Sequence, residues 1–148
     1  MNSLQTPQTI FPNWVRGFLL AATAYNILWG VFIGWFPETF FQWVTESKDA
    51  MPAIIEWQGK AVLAMAAVYL ACAIHPGKFW YFAFFGALTK LGGGIWFYMV
   101  ILEQEVGKKG IFHLLMNDAI WIPMLIFIGF RAKAYKKAKD EAPTEETV

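Results

Sequence analysis

Six side chains with chemical capability stand inside runs of residues that otherwise have none: Asn26, Glu56, Lys60, Lys90, Asn117 and Asp118. Lys90 is the extreme case, the only charge in FWYFAFFGALTKLGGGIWFYMVIL, residues 79–102. Glu56 and Lys60 are four apart, which on a helix is an ion-pair spacing with the acid in the favoured N-terminal position. Asn117 and Asp118 are adjacent, and Trp121 follows Asn117 by one helical turn. In apolar surroundings an ammonium can hold an anion or a polar head group, a carboxylate can act as counter-ion or proton acceptor, and an amide can orient a ligand. The same two lysines and two carboxylates can also neutralise one another and do no more than fix helix register.

Other chemistries find little footing. His75 and His113 fall on separate segments, and no Cys or His cluster has metal-ligand spacing, so no metal and no cofactor is expected. Gly92-Gly93-Gly94 follows no strand and precedes no Lys-Ser/Thr pair, which makes it a place for close helix packing or a bend rather than a phosphate loop. The single cysteine, Cys72, lies in an apolar run and reads as a small buried hydrophobe.

The elements that must position these residues are long apolar helices. Of 148 residues 57% are hydrophobic and 16% charged, with a net charge of +1, unlike a soluble domain and with no case for nucleic acid. At a rise of 1.5 Å per residue, about 20 apolar residues cross a hydrocarbon core of about 30 Å. Runs of that kind are predicted at 14–36, 53–74, 79–102 and 111–130. Pro37 stops the first, Pro52 sits at the first turn of the second, and His75-Pro76-Gly77-Lys78 turns the second into the third. Between the first two, Phe40, Phe41 and Val44 fall at helical spacing, as in a short amphipathic helix lying in the membrane interface. No basic cluster precedes the first run, which is therefore read as a spanning helix and not a cleaved signal. Residues 1–12 read as a polar tail and 132–148 as a basic then acidic tail, disordered at its end. The expected fold is all-α: a polytopic membrane protein, residues 13–131, with four transmembrane helices in an up-down bundle. Arg16, Lys78, Arg131, Lys133, Lys136, Lys137 and Lys139 fall on one side and Lys48, Lys108 and Lys109 on the other, which puts both termini in the cytoplasm.

Depth then follows from residue counting. Lys60 is predicted about 21 Å from the cytoplasmic turn, Lys90 about 17 Å, and Asn26 and Asp118 about 18 Å from their own cytoplasmic ends. Each helix thus places a polar residue in one slab near the midplane. Gly86, Lys90, Gly93 and Gly94 share a stripe on the third helix, where small residues allow close approach.

Two of these segments resemble known proteins. Met116-Asn117-Asp118-Ala119-Ile120-Trp121-Ile122-Pro123 resembles an N-D-x-I-W-x-I-P pattern of small four-helix bacterial membrane proteins, and Thr89-Lys90-Leu91-Gly92 resembles their lysine–glycine segment. In this the chain is similar to the DoxX-like group. The resemblance implies a four-helix protein of the bacterial inner membrane, with Lys90 and Asn117-Asp118 as a shared feature, and a link to quinone-associated respiratory or sulfur redox chemistry. The lone cysteine argues against a thiol-based version of that chemistry.

Three functions are consistent with the sequence. The first is a membrane-embedded site that binds or transports a small polar or anionic ligand, with proton coupling, in which Lys60 and Lys90 supply charge, Glu56 and Asp118 are counter-ions, and Asn26, Asn117 and Trp121 orient or wall the ligand. The second is an accessory subunit packed beside a larger membrane complex or further copies of itself. The third is an enzyme acting on a quinone or another lipid, which requires a lateral opening and a cavity reaching Asp118. In each the lipid bilayer is a partner.

Overall fold

Long apolar runs must satisfy their backbone N–H and C=O groups internally, and every described element is helical. The structure, a computed structural model, describes residues 11–103 and 107–141. Helix α1 covers Asn13–Trp35, α2 Pro37–Thr45, α3 Ile54–Ile74 and α4 Tyr81–Trp96, the last continued by a π-helical turn at Phe97–Ile101. The final run comprises α5 (Lys108–His113), a π-helical segment Leu114–Ala119, and α6 (Trp121–Glu141). Four stretches, Asn13–Trp35, Ile54–Ile74, Tyr81–Ile101 and Lys108–Glu141, are long and apolar enough to cross a membrane. Their outer faces agree: Leu28, Leu88 and Phe130 are 72%, 67% and 62% exposed, a surface that suits lipid and not water.

Local rules account for most boundaries, with two corrections. Pro37 ends the first helix as expected, pushing the preceding Phe36 out of the helical region (φ −126°, ψ 51°), and it also takes the first turn of α2, where its missing N–H costs nothing. α4 starts at Tyr81, because the turn after His75 extends to Trp80. The last helix continues to Glu141, well past residue 130, since Ala, Lys and Arg are strong helix formers and Ala132 is fully buried. Tyr135 meets the ring of Phe11 edge-on at 5.6 Å, so this basic stretch docks against the start of α1 and is not a tail. The tails expected at residues 1–10 and 142–148 lie outside the described residues. Helix α2 is amphipathic as its spacing predicts, and Phe40, Phe41 and Val44 bury that face in the protein's own core beside Ile33, Ile55 and Phe97.

Packing divides the helices into two close pairs. In the first, Gly59 of α3 lies against the backbone of Gly34, and Gly30 lies against Leu63, so α1 and α3 run in opposite senses with their main chains almost touching. In the second, α4 lies along α6, with Gly129 accommodating the ring of Phe84. The pairs meet more sparingly along α3 and α4, where Gly86 receives the ring of Tyr69 and Thr89 Oγ1 lies 3.7 Å from Met65 Sδ. Beyond Met65, away from Tyr69, the α3–α4 seam opens. Because a Cβ on Gly59 would strike backbone and not a movable side chain, Gly59→Ala should destabilise the protein by at least about 1–3 kcal/mol. Gly92→Ala, with nothing within 4 Å of the new atom and a better helix former in mid-helix, should leave the thermal midpoint in detergent unchanged or slightly raised.

Candidate functional site

Lys90 lies on the buried stripe of α4 with Ala83, Gly86 and Ala87. Its partners come from the π-helical segment, where Ile120 N bonds Leu115 O across five residues at 3.0 Å. On a regular α-helix neighbouring side chains diverge by about 100°. The wider turn reduces that rotation, and Asn117 and Asp118 both face inward, 3% and 7% exposed. Lys90 Nζ is 3.6 Å from Asp118 Oδ1 and donates to Asn117 Oδ1 at 3.4 Å, while Asn117 Nδ2 donates to Asp118 Oδ1 at 3.2 Å. These are long contacts, so the ammonium keeps donor capacity for a closer partner. Gly94 faces Asp118, and its lack of a side chain leaves the carboxyl its room.

This triad forms the floor of a cavity of about 600 Å³ in the α3–α4 seam. Its walls are apolar (Ala61, Val62, Met65, Val68, Trp96), and its exposed lining side chains run along the seam from Ile54 and Trp57 to Phe85, so it opens on the side of the bundle. A mostly apolar hollow of this size with a few convergent polar groups is the usual form of a small-molecule site. Asn26 joins from α1: it is fully buried, its Nδ2 donates to Ala22 O at 2.8 Å, and its Oδ1 has no partner. Gln58 lines the cavity as well, with a buried Oε1 likewise without a partner. On the opposite side of α4 a shallower groove of about 610 Å³ also reaches Lys90 and Asp118. The ion pair is therefore the partition between two hollows.

Of the side chains singled out in the sequence, Asn26, Lys90, Asn117 and Asp118 converge. Glu56 and Lys60 do not join them. They form a separate pair at 2.7 Å, each about half exposed, with Lys60 Nζ 4.4 Å from the Trp57 ring centroid. The reason is rotational: Gly59 must face Gly34, and that turns positions 56 and 60 away from the cavity. Trp121 is also absent from its walls. Its Nε1 donates to Met116 O at 2.7 Å, that same carbonyl accepts Tyr25 OH at 3.0 Å, and the two rings lie 5.0 Å apart, tying α6 to α1. Trp57 and Trp96 wall the cavity instead, together with Gln58 and Thr89. The spacing Ile54–Trp57–Ala61–Met65–Val68 was visible in the sequence, but a cavity wall and a lipid-facing stripe have the same signature. His113 is fully buried among Trp29, Phe40 and Phe97, with ring centroids at 5.3, 5.1 and 4.7 Å. Among the described residues no three His, Cys, Asp or Glu side chains gather as a metal site would require.

Comparison with protein-family models, with curated proteins and with solved structures finds no match.

The geometry makes a stability prediction. Asp118→Leu leaves Lys90 buried without its counter-charge and should cost about 3–5 kcal/mol, whereas the double variant Lys90→Met/Asp118→Leu should regain most of that loss. Glu56→Gln, breaking a half-exposed pair, should cost less than about 1 kcal/mol. Unfolding followed in detergent separates the three.

Proposed function

We propose that the protein is a multi-pass protein of the bacterial inner membrane that binds a small amphiphile in the α3–α4 cavity, with the ligand's polar head on Lys90, Asn117 and Asp118. One observation carries this reading: a buried ion pair forms the floor of a mostly apolar cavity whose mouth opens sideways, between two helices long enough to span a bilayer. A lateral mouth admits molecules already dissolved in lipid. In this proposal the four long helices form an up-down bundle with both termini cytoplasmic. Basic residues support that orientation: Gly77 lies against Tyr135 and Lys133 against Trp80, so the turn bearing Lys78 adjoins the basic end of α6.

The ion pair also narrows the head group. Asp118 already neutralises Lys90, and Lys60 is turned away, so the two-lysine arrangement that would favour a free anion is not assembled. A neutral polar head fits without displacing the carboxylate. An anion would compete with Asp118, and its binding would be coupled to proton uptake there. The resemblance to DoxX-like proteins rests on Lys90 and Asn117-Asp118, the residues given the ligand contact in this proposal.

Gly93 lines the cavity, and a Cβ added to it meets nothing within 4 Å, so the side chain of Gly93→Phe starts in open space at the cavity wall. In lipid nanodiscs, bromoundecanol should quench tryptophan fluorescence saturably through Trp57 and Trp96, and Gly93→Phe should weaken that binding by about tenfold or more with an unchanged melt. Equal saturable quenching in both proteins refutes the proposal.

A further inference from the structure

We infer that the ligand of this cavity is a hydrogen-bond donor: a lipid-soluble alcohol or phenol whose hydroxyl donates to Asn26 Oδ1 and accepts from Lys90 Nζ. The inference rests on the binding reading above and adds the chemistry of the head group. Asn26 has no exposed surface, and its Nδ2 is committed to the Ala22 carbonyl at 2.8 Å. Only the amide NH₂ can donate to a carbonyl, which fixes the orientation of the group and leaves Oδ1 as the free end. That oxygen has no partner, and Asn26 lines the cavity. Buried polar atoms are nearly always satisfied in folded proteins, so an orphaned acceptor on a residue that lines a hollow marks the position of a missing donor.

Depth places the donor and the acceptor of such a hydroxyl together. Gly30 meets Leu63, so Asn26, one turn away on α1, lies one turn farther along α3, while Lys90 follows Thr89, which meets Met65. Asn26 and Lys90 therefore approach the cavity at about the same level of α3. Lys90 has three N–H donors, and its two protein contacts, at 3.4 and 3.6 Å, leave one uncommitted. A hydroxyl is the smallest group that both donates to an amide oxygen and accepts from an ammonium. Gln58 Oε1, a second orphaned acceptor, lies seven residues up α3 from Met65, about 10 Å closer to the Ile54 end of the cavity. An ether or a carbonyl compound without a donor satisfies Lys90 alone and leaves both amide oxygens bare. An anion adds negative charge beside two acceptors and a carboxylate.

The test compares bromoundecanol with its methyl ether on the full chain in nanodiscs, reading saturable tryptophan quenching. The two probes share chain and bromine and differ only in the proton that can be donated. The alcohol should bind wild type about fivefold tighter than the ether, the size of one net hydrogen bond. Asn26→Leu should bring the two within about twofold of each other, and Gln58→Leu should reduce the preference by a smaller factor. Equal affinity of alcohol and ether for wild type overturns the inference and leaves the cavity reading intact. A preference that survives both substitutions also overturns it. Absence of saturable binding by either probe removes the cavity reading as well. Should Asn26→Leu fail to fold, the wild-type comparison and Gln58→Leu still decide.

Discussion

A lysine and an aspartate taken out of water together constrain everything else in this molecule. The Lys90–Asp118 contact, at 3.6 Å and with both side chains nearly inaccessible, has to offset the desolvation of two charges. Each surrounding feature can be understood as meeting that demand. The π-helical segment turns Asn117 and Asp118 inward together, Gly94 leaves room for the carboxyl, and Asn117 bridges the two charges through both ends of its amide. The contacts remain long, and no further described side chain closes on the ammonium. An ion pair held so loosely recovers less of that cost than a closely closed one would.

Helix packing explains why there is a hollow at all. Glycines draw α1 and α3 into backbone contact at one seam, and α4 is joined to α6 along another. The α3–α4 seam is held at Tyr69–Gly86 and Met65–Thr89 and has no such glycine contact beyond them. Two rigid pairs that touch along part of their length leave a gap over the remainder. Gly93 widens it by presenting no side chain. In a bilayer such a gap is flanked by lipid. The same division makes relative movement of the two pairs less costly than movement within either pair, since fewer close contacts must change.

Much of the fold was legible because it follows from local composition. Four apolar runs of spanning length, a proline–glycine turn and an amphipathic stretch each carry their own signal, and the helices appear within a few residues of where those signals place them. The C-terminal extension to Glu141 was harder to read, since a basic helix docked on α1 and a basic solvated tail have the same composition. Half of the site was legible too. Lys90, Asn117, Asp118 and Asn26 are conspicuous because polar residues are so costly in these runs. Glu56 and Lys60 carried an equally conspicuous signal and went elsewhere, because counting residues gives depth along a helix and says nothing of its rotation.

By itself, then, the sequence determined where the four long apolar runs lie and the need for Lys90 to have a counter-charge. Both depend on local composition and on the cost of burying charge, which are local properties. Tertiary structure alone decided which of two carboxylates meets Lys90, which tryptophans wall a cavity and which amide oxygens are left without partners. Those outcomes depend on how each helix is rotated about its axis. That rotation is set by contacts such as Gly34 on Gly59, between residues distant in the chain and unremarkable where they stand in it.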